Sequence, residues 1–187
     1  MTRRPSLALI AAALACVAAA PAKPPPKAAA AKPAAAKPAP APAGPSTYDA
    51  QNPQSLIGLL TDAGARAQTG RKEDDAVFIS VTSTAANFSV QFAGCDRSGR
   101  NCQAALYDDM LDHAPPTLAQ VNGFNQTSVT CRFYVDRANK PHVLYSAVLL
   151  KTDTRKSAET HLAAWQGCIV EARNFVADPT AYLANAA

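Results

Sequence analysis

Residues 121–136 read Val-Asn-Gly-Phe-Asn-Gln-Thr-Ser-Val-Thr-Cys-Arg-Phe-Tyr-Val-Asp, and the fold turns on how they are parsed. Val129, Cys131, Phe133 and Val135 fall on one side; Thr130, Arg132, Tyr134 and Asp136 fall on the other. An apolar/polar alternation of period two, rich in aromatic and β-branched residues, is the pattern of a half-buried strand. The asparagines ahead of it predict the end of a helix and a tight turn. Asn122 and Asn125 would satisfy backbone groups at that junction.

Upstream, Asn52-Pro53-Gln54-Ser55 has the form of a helix start, with Asn52 as cap and Pro53 at the first helical position. Leu56, Leu59, Leu60 and Ala63 form its apolar stripe and Gly64 its stop. Short strands are predicted over 65–69, 77–82, 87–94 and 103–107, with a charged turn over 70–75. Pro115-Pro116-Thr117 opens a second helix carrying Leu118, Val121 and Phe124 or Asn125. Downstream of Asn139-Lys140-Pro141, residues 142–150 form a strand that is apolar on both faces from Ala147 onward, which predicts a central position. Residues 156–176 form the longest helix, with Ala158, Leu162, Trp165, Ile169 and Ala172 on one stripe. A last short turn starts at Asp178-Pro179. Strands joined by short turns, with interspersed helices, predict an α+β domain. Its sheet of five or six strands would be mainly antiparallel, with the helices on one face.

The 187 residues fall into three parts. Residues 1–22 read as a secretory signal peptide: a basic start through Ser6, an apolar run over 7–20, and small residues Ala20 and Ala22 before Lys23. Residues 23–47 are Pro, Ala and Lys with little else, the composition of an extended spacer without a core. Residues 48–187 carry the domain. The formal charge of +4 is uneven. Arg3, Arg4, Lys23, Lys27, Lys32 and Lys37 all precede the first acid, Asp49, so 12 Lys/Arg face all 14 Asp/Glu in the remainder. A mildly acidic domain lacks the basic footprint of nucleic-acid binding. Export predicts a periplasmic or secreted protein. A looser alternative makes Ala13-Leu14-Ala15-Cys16 a lipidation site, and only then a membrane anchor.

Four cysteines remain beyond Cys16, and four allow three pairings. Cys95 and Cys102 flank one loop, which favours their pairing; Cys131 with Cys168 follows by elimination. Cys131 faces inward on its strand, and Cys168 lies beside Trp165 on the core stripe, which agrees. There is no Cys-x-x-Cys redox motif and no zinc-ligand spacing.

Catalytic signals are sparse. Asp108, Asp109, Asp112 and His113 form the densest polar cluster. On a helical turn they would pair at i,i+4 and could hold a divalent ion for hydrolytic chemistry. His142 and His161 read as isolated. Ser128 and Ser146 lack nucleophile-elbow glycines. No phosphate loop and no cofactor motif is present.

Three segments resemble the YbjN family of bacterial proteins. They are Pro53-Gln54-Ser55-Leu56-Ile57-Gly58-Leu59-Leu60, Asn87-Phe88-Ser89-Val90-Gln91-Phe92-Ala93-Gly94-Cys95, and Val121-Asn122-Gly123-Phe124-Asn125 followed by Cys131-Arg132-Phe133-Tyr134-Val135-Asp136. Phe124 stands where the family usually has Trp, and Ala105-Leu106-Tyr107-Asp108-Asp109 replaces a more aromatic strand. The resemblance implies a fold like that of type III secretion chaperones, commonly dimeric, with no known catalytic residues. The combined expectation is an exported, non-enzymatic domain working by protein–protein contact, with an unidentified protein or a second copy as partner. The uncovered sheet face, with Phe78, Thr130, Arg132 and Tyr134, would be the contact surface. The alternatives are a metal-dependent or hydrolytic envelope enzyme using the Asp/His cluster, and a lipid-anchored structural protein.

Overall fold

A computed structural model describes residues 48–186. The signal-peptide, spacer and Cys16 expectations lie outside the described residues. Asn52 caps α1 (Pro53–Asp62) by accepting from the Gln54 N–H, and Pro53 occupies the first turn, where no N–H is needed. Gly64, at φ +85°, stops the helix in the left-handed region.

Four strands follow: β1 (Arg66–Lys72), β2 (Ala76–Thr82), β3 (Asn87–Ala93) and β4 (Ala104–Met110). Then come α2 (Leu118–Thr127), β5 (Cys131–Val135), β6 (Pro141–Val148), α3 (Arg155–Ala177) and α4 (Pro179–Asn185). The six strands lie in the order β1-β2-β3-β4-β6-β5, and every neighbouring pair is antiparallel. This is the α+β architecture the pattern predicts, and β6 takes its inner position between β4 and β5.

Val77, Ile79 and Val81 of β2, Val90 and Phe92 of β3, and Val143 of β6 face the helices and are buried. Trp165 of α3 is fully buried against the rings of Phe88 and Tyr107, at centroid distances of 5.6 and 5.9 Å. A second aromatic cluster joins α2, β5, α3 and α4: Phe124 lies 5.5 Å from Phe133, 4.9 Å from Phe175 and 5.7 Å from Tyr182.

Three boundaries differ from expectation, each for a tertiary reason. β1 runs to Lys72 because β2 resumes pairing with it there, Lys72 opposite Val77, after an irregularity between Thr69 and Lys72; Arg71 lays its guanidinium 4.3 Å over the Phe78 ring. β4 runs to Met110 because β6 supplies partners opposite Asp108, Asp109 and Met110. Pairing there outweighs the poor strand propensity of Asp.

The helix α2 continues through Asn122 and Asn125 to Thr127, so the predicted asparagine turn is helical. The Asn125 side chain has a different task. Its Nδ2 donates to the Phe133 carbonyl at 3.0 Å, and its Oδ1 accepts from the Phe133 N–H at 2.8 Å. The amide thereby takes the place of a further strand along the free edge of β5. Because β5 starts only at Cys131, Val129 escapes the inward alternation and is 87% exposed.

Cys95–Cys102 closes the loop between β3 and β4, and Cys131–Cys168 ties β5 to α3. Inside the first loop Asp96 accepts from the Ser98, Arg100 and Asn101 donors. Those bonds hold its carboxyl well below the usual carboxylate range.

Two stability predictions follow from these ties. Asn125→Ala leaves the Phe133 backbone without its partners and lowers unfolding stability by about 1–3 kcal/mol in urea; an unchanged midpoint would refute the role given to the amide. The Cys131–Cys168 bridge spans 37 residues and Cys95–Cys102 only 7. Loop entropy therefore assigns about 4 kcal/mol to the longer bridge and about 2.5 kcal/mol to the shorter. Paired Cys→Ala variants measured by denaturant titration should keep that order.

Candidate functional site

Alternation along the strands gives the sheet a second face with no helix over it. One register row crosses all six strands: Gln68, Ser80, Ser89, Asp108, Leu144 and Arg132. On one side of it lies the row Phe78, Gln91, Leu106 and Ser146. On the other, His142 stands between Met110 and Tyr134. Val148, 72% exposed, and Met110, 58% exposed, project from this face, and Phe78, Leu106 and Leu144 are half-buried in it. Leu106 and Leu144 are thus interleaved with Ser80, Ser89, Gln91, Asp108 and Ser146, a mixed apolar and polar face.

The most ordered part of this face is a cluster on β4, β5 and β6. The Tyr134 hydroxyl donates to Asp108 Oδ2 at 2.7 Å, and His142 Nδ1 stands 2.8 Å from Asp108 Oδ1. A carboxylate only accepts, which places the proton of the shorter contact on Nδ1. The imidazole stacks on the Tyr134 ring, with centroids 4.8 Å apart and planes 18° from parallel. Its Nε2 is buried, has no hydrogen-bond partner among the described residues, and lies 3.6 Å from Asp136 Oδ2. Burial, the hydrogen bond to Asp108 and the negative charges of Asp108 and Asp136 all push the Tyr134 phenol up from its ordinary value. The cluster ties three strands together in register.

The structure separates the residues the sequence grouped. Asp108 and Asp109 are adjacent on a strand, not on a helical turn, so they face opposite sides of the sheet. Asp109 is buried on the helix side, 4.0 Å from Arg173, with its carboxyl pushed up by desolvation. Asp112 and His113 follow the strand and are exposed. The i,i+4 pairing behind the metal or hydrolytic alternative is therefore not formed. Among the described residues no three His, Cys, Asp or Glu side chains converge as metal ligands.

Of the four expected contact residues, Phe78 on β2 and Tyr134 and Arg132 on β5 share the open face. They stand at opposite ends of it, about 19 Å apart at the usual strand spacing. The Arg132 guanidinium turns back to donate to the Ser128 and Cys131 carbonyls, at 3.1 and 2.7 Å. Thr130 precedes β5, and its hydroxyl lies 3.6 and 4.0 Å from the Cys131 and Cys168 sulfurs, beside the disulfide.

Neither histidine is isolated. His142 belongs to the cluster above, and His161 Nδ1 lies 2.7 Å from the Tyr145 hydroxyl, linking α3 to β6. Counting outward from a turn at Asn139-Lys140 would set His142 opposite Arg137; the observed pairing of Tyr134 with His142 centres the turn on Ala138. No local signal marks Asp108 as their partner.

The family match covers residues 52–174, from the α1 cap to the last turns of α3. The chain belongs to the YbjN family, whose description is "putative bacterial sensory transduction regulator". No curated protein and no solved structure matches the chain.

All five tyrosines are shifted upward, chiefly by burial. Tyr48 reaches about 12, and Tyr107, Tyr134, Tyr145 and Tyr182 also rise. A phenol whose folded pKa exceeds the unfolded value of about 10 contributes stability that is complete below that value. The contribution is lost as pH rises through the folded pKa. Unfolding stability should therefore hold to about pH 10 and fall steeply above it. Absorbance titration should show Tyr134 ionising earlier in Asp108→Asn than in wild type; an identical curve would remove Asp108 as a cause.

Proposed function

We propose that this domain works outside the cytoplasm, in the bacterial envelope, as a non-enzymatic regulatory module. It acts by protein contact through its open sheet face, and a second copy of the chain is its first partner. The observation that carries this reading is the helix-free face itself, on which Phe78, Leu106, Leu144 and Val148 stand exposed or half-buried among Ser80, Ser89, Gln91 and Ser146. Six strands about 4.8 Å apart, each about seven residues long, make a face of roughly 650 Å². That is close to the ~800 Å² per partner of a standard specific interface.

Compartment is argued from chemistry. Two disulfides suit an oxidising environment and are rare in the reducing cytosol. The signal-like residues 1–22 point the same way. Among the described residues no helix is long and apolar enough to cross a membrane.

The pairing geometry follows from charge. Arg66 stands on β1 at one edge of the face, while Asp136 follows β5 at the other. A two-fold axis along the strands sets β1 of one copy over β5 of its partner. Arg66 then meets the Tyr134–Asp136 end twice, Asp108 faces Ser89, Leu106 faces Gln91, and Phe78 faces Ser146. The opposite choice, an axis across the strands, sets Arg66 over the basic Arg71–Lys72 end of its partner's β1.

Light scattering of the mature protein at high micromolar concentration should report a dimer. Leu144→Asp or Val148→Asp should yield a monomer with thermal stability nearly unchanged, and Arg66→Glu should weaken the dimer at low salt. A wild-type monomer, or variants that lose stability without changing mass, would sink the reading. Mass spectrometry of the mature N-terminus separates cleavage before Lys23 from acylation at Cys16.

A further inference from the structure

The helix-covered side of the sheet holds a second surface feature that protein contact at the open face does not use. Between the end of α1, the turn from β2 to β3 and the middle of α3 lies a groove of about 440 Å³. That volume falls inside the ~300–1,000 Å³ range of small-molecule sites. Its floor and walls are apolar: Leu60, Ala63, Val81, Phe88, Leu162 and Val170. Val170 is 59% exposed on its lip, although it belongs to the helix that carries the core.

Polar groups are few and sit to one side. Arg173 closes one end. Its guanidinium is held there by the Ala85 carbonyl at 3.3 Å and stands 4.0 Å from Asp109 Oδ2. Gln166, Ser83 and Thr84 edge the mouth. Trp165, which lines the groove, has its indole Nε1 fully buried and without a hydrogen-bond partner among the described residues.

We infer that this groove binds a single-chain amphiphile with an anionic head, of the fatty-carboxylate class. The chain lies along Phe88, Leu162 and Val170, and the carboxylate meets Arg173. The groove has one cation, Arg173, at its end, which favours an anionic head. The neighbouring anion, Asp109, is buried on the helix side of β4, 4.0 Å from that cation, and does not line the groove. A cationic amphiphile would bring its head against Arg173.

The chain has one tryptophan, so its indole N–H gives a single resonance in a nitrogen-15 spectrum and reports on this groove alone. Titration of the whole mature protein with decanoate should shift that resonance saturably. Shortening the probe to octanoate should weaken binding by roughly ten- to fifteen-fold, as two methylenes withdrawn from water imply. Arg173→Gln should weaken decanoate by about ten-fold, the worth of one charge-assisted hydrogen bond, and leave decanol unaffected. Val170→Asp, on the exposed lip, should abolish both.

Three results would overturn the inference. One is no saturable shift with decanoate. Another is equal weakening of decanoate and decanol by Arg173→Gln, which would mark nonspecific partition. The third is an indole shift that follows protein concentration instead of ligand, which would make the groove a contact for a second copy. Because Val148→Asp addresses the other face, its effect on mass is read independently of any of these.

Discussion

Strand β5 has a strand neighbour on one side only, and the open face depends on keeping it there. A five-residue edge strand has little pairing of its own, and its free N–H and C=O groups would be a template for aggregation. The chain closes that edge with the Asn125 amide, which takes both backbone groups of Phe133. Covalent and packing ties act on the same strand. Cys131 is bonded to Cys168, Phe133 lies between Phe124 and Phe175, and Ser128 accepts from the Cys131 N–H while donating to Glu171. Glu171 accepts in turn from Tyr182 of α4. Most of what fixes β5 lies on its inner side or its edge; on the outer side only the Tyr134 contacts to Asp108 and His142 add to it. Its outer side chains, Arg132 and Tyr134, are left to face outward.

Much of this was legible in residues 121–136. Cys131 and Phe133 inward, with Arg132 and Tyr134 outward, follows from period two alone. The capped start of α1 and the stripe around Trp165 were equally plain, because caps and amphipathic periods are local signals. The asparagines misled for a physical reason. Asn is common in turns, yet a side-chain amide that satisfies backbone eight residues away can sit on a helix at no local cost. Nothing local separates the two uses. Thr130 misled as well, because alternation extrapolated past the end of a strand has no pleat to obey.

The acid cluster at Asp108–His113 shows the limit in another form. Read as a helical turn it converges; read as the end of β4 it divides. Only the register with β6 decides, and β6 lies some thirty residues onward. Once that pairing is made, Asp108 joins Tyr134 and His142 on the open face, while Asp109 is driven into the helix side beside Arg173. Two neighbouring residues of one type thus serve two surfaces. His142 looked isolated in sequence because its partners lie on two other strands.

That division bears on how the two faces could influence each other. Asp108 and Asp109 share one backbone segment: the first anchors the polar end of the open face, and the second stands behind the cation at the end of the groove. A contact that draws Asp108 outward must rotate the same strand segment that positions Asp109. The rigid route between the surfaces is therefore one residue long, not a chain of packed side chains. Coupling in such an arrangement requires that β4 have two discrete positions at Asp108–Met110, where pairing with β6 ends. At that end Met110 pairs with His142, the Leu111 N–H donates to the Pro141 carbonyl at 2.8 Å, and Asp108 holds the imidazole, so two such positions would have to exchange these three ties together. A regulator built this way would need no mobile lid, only an end of β4 that binding on one face can hold and binding on the other can release.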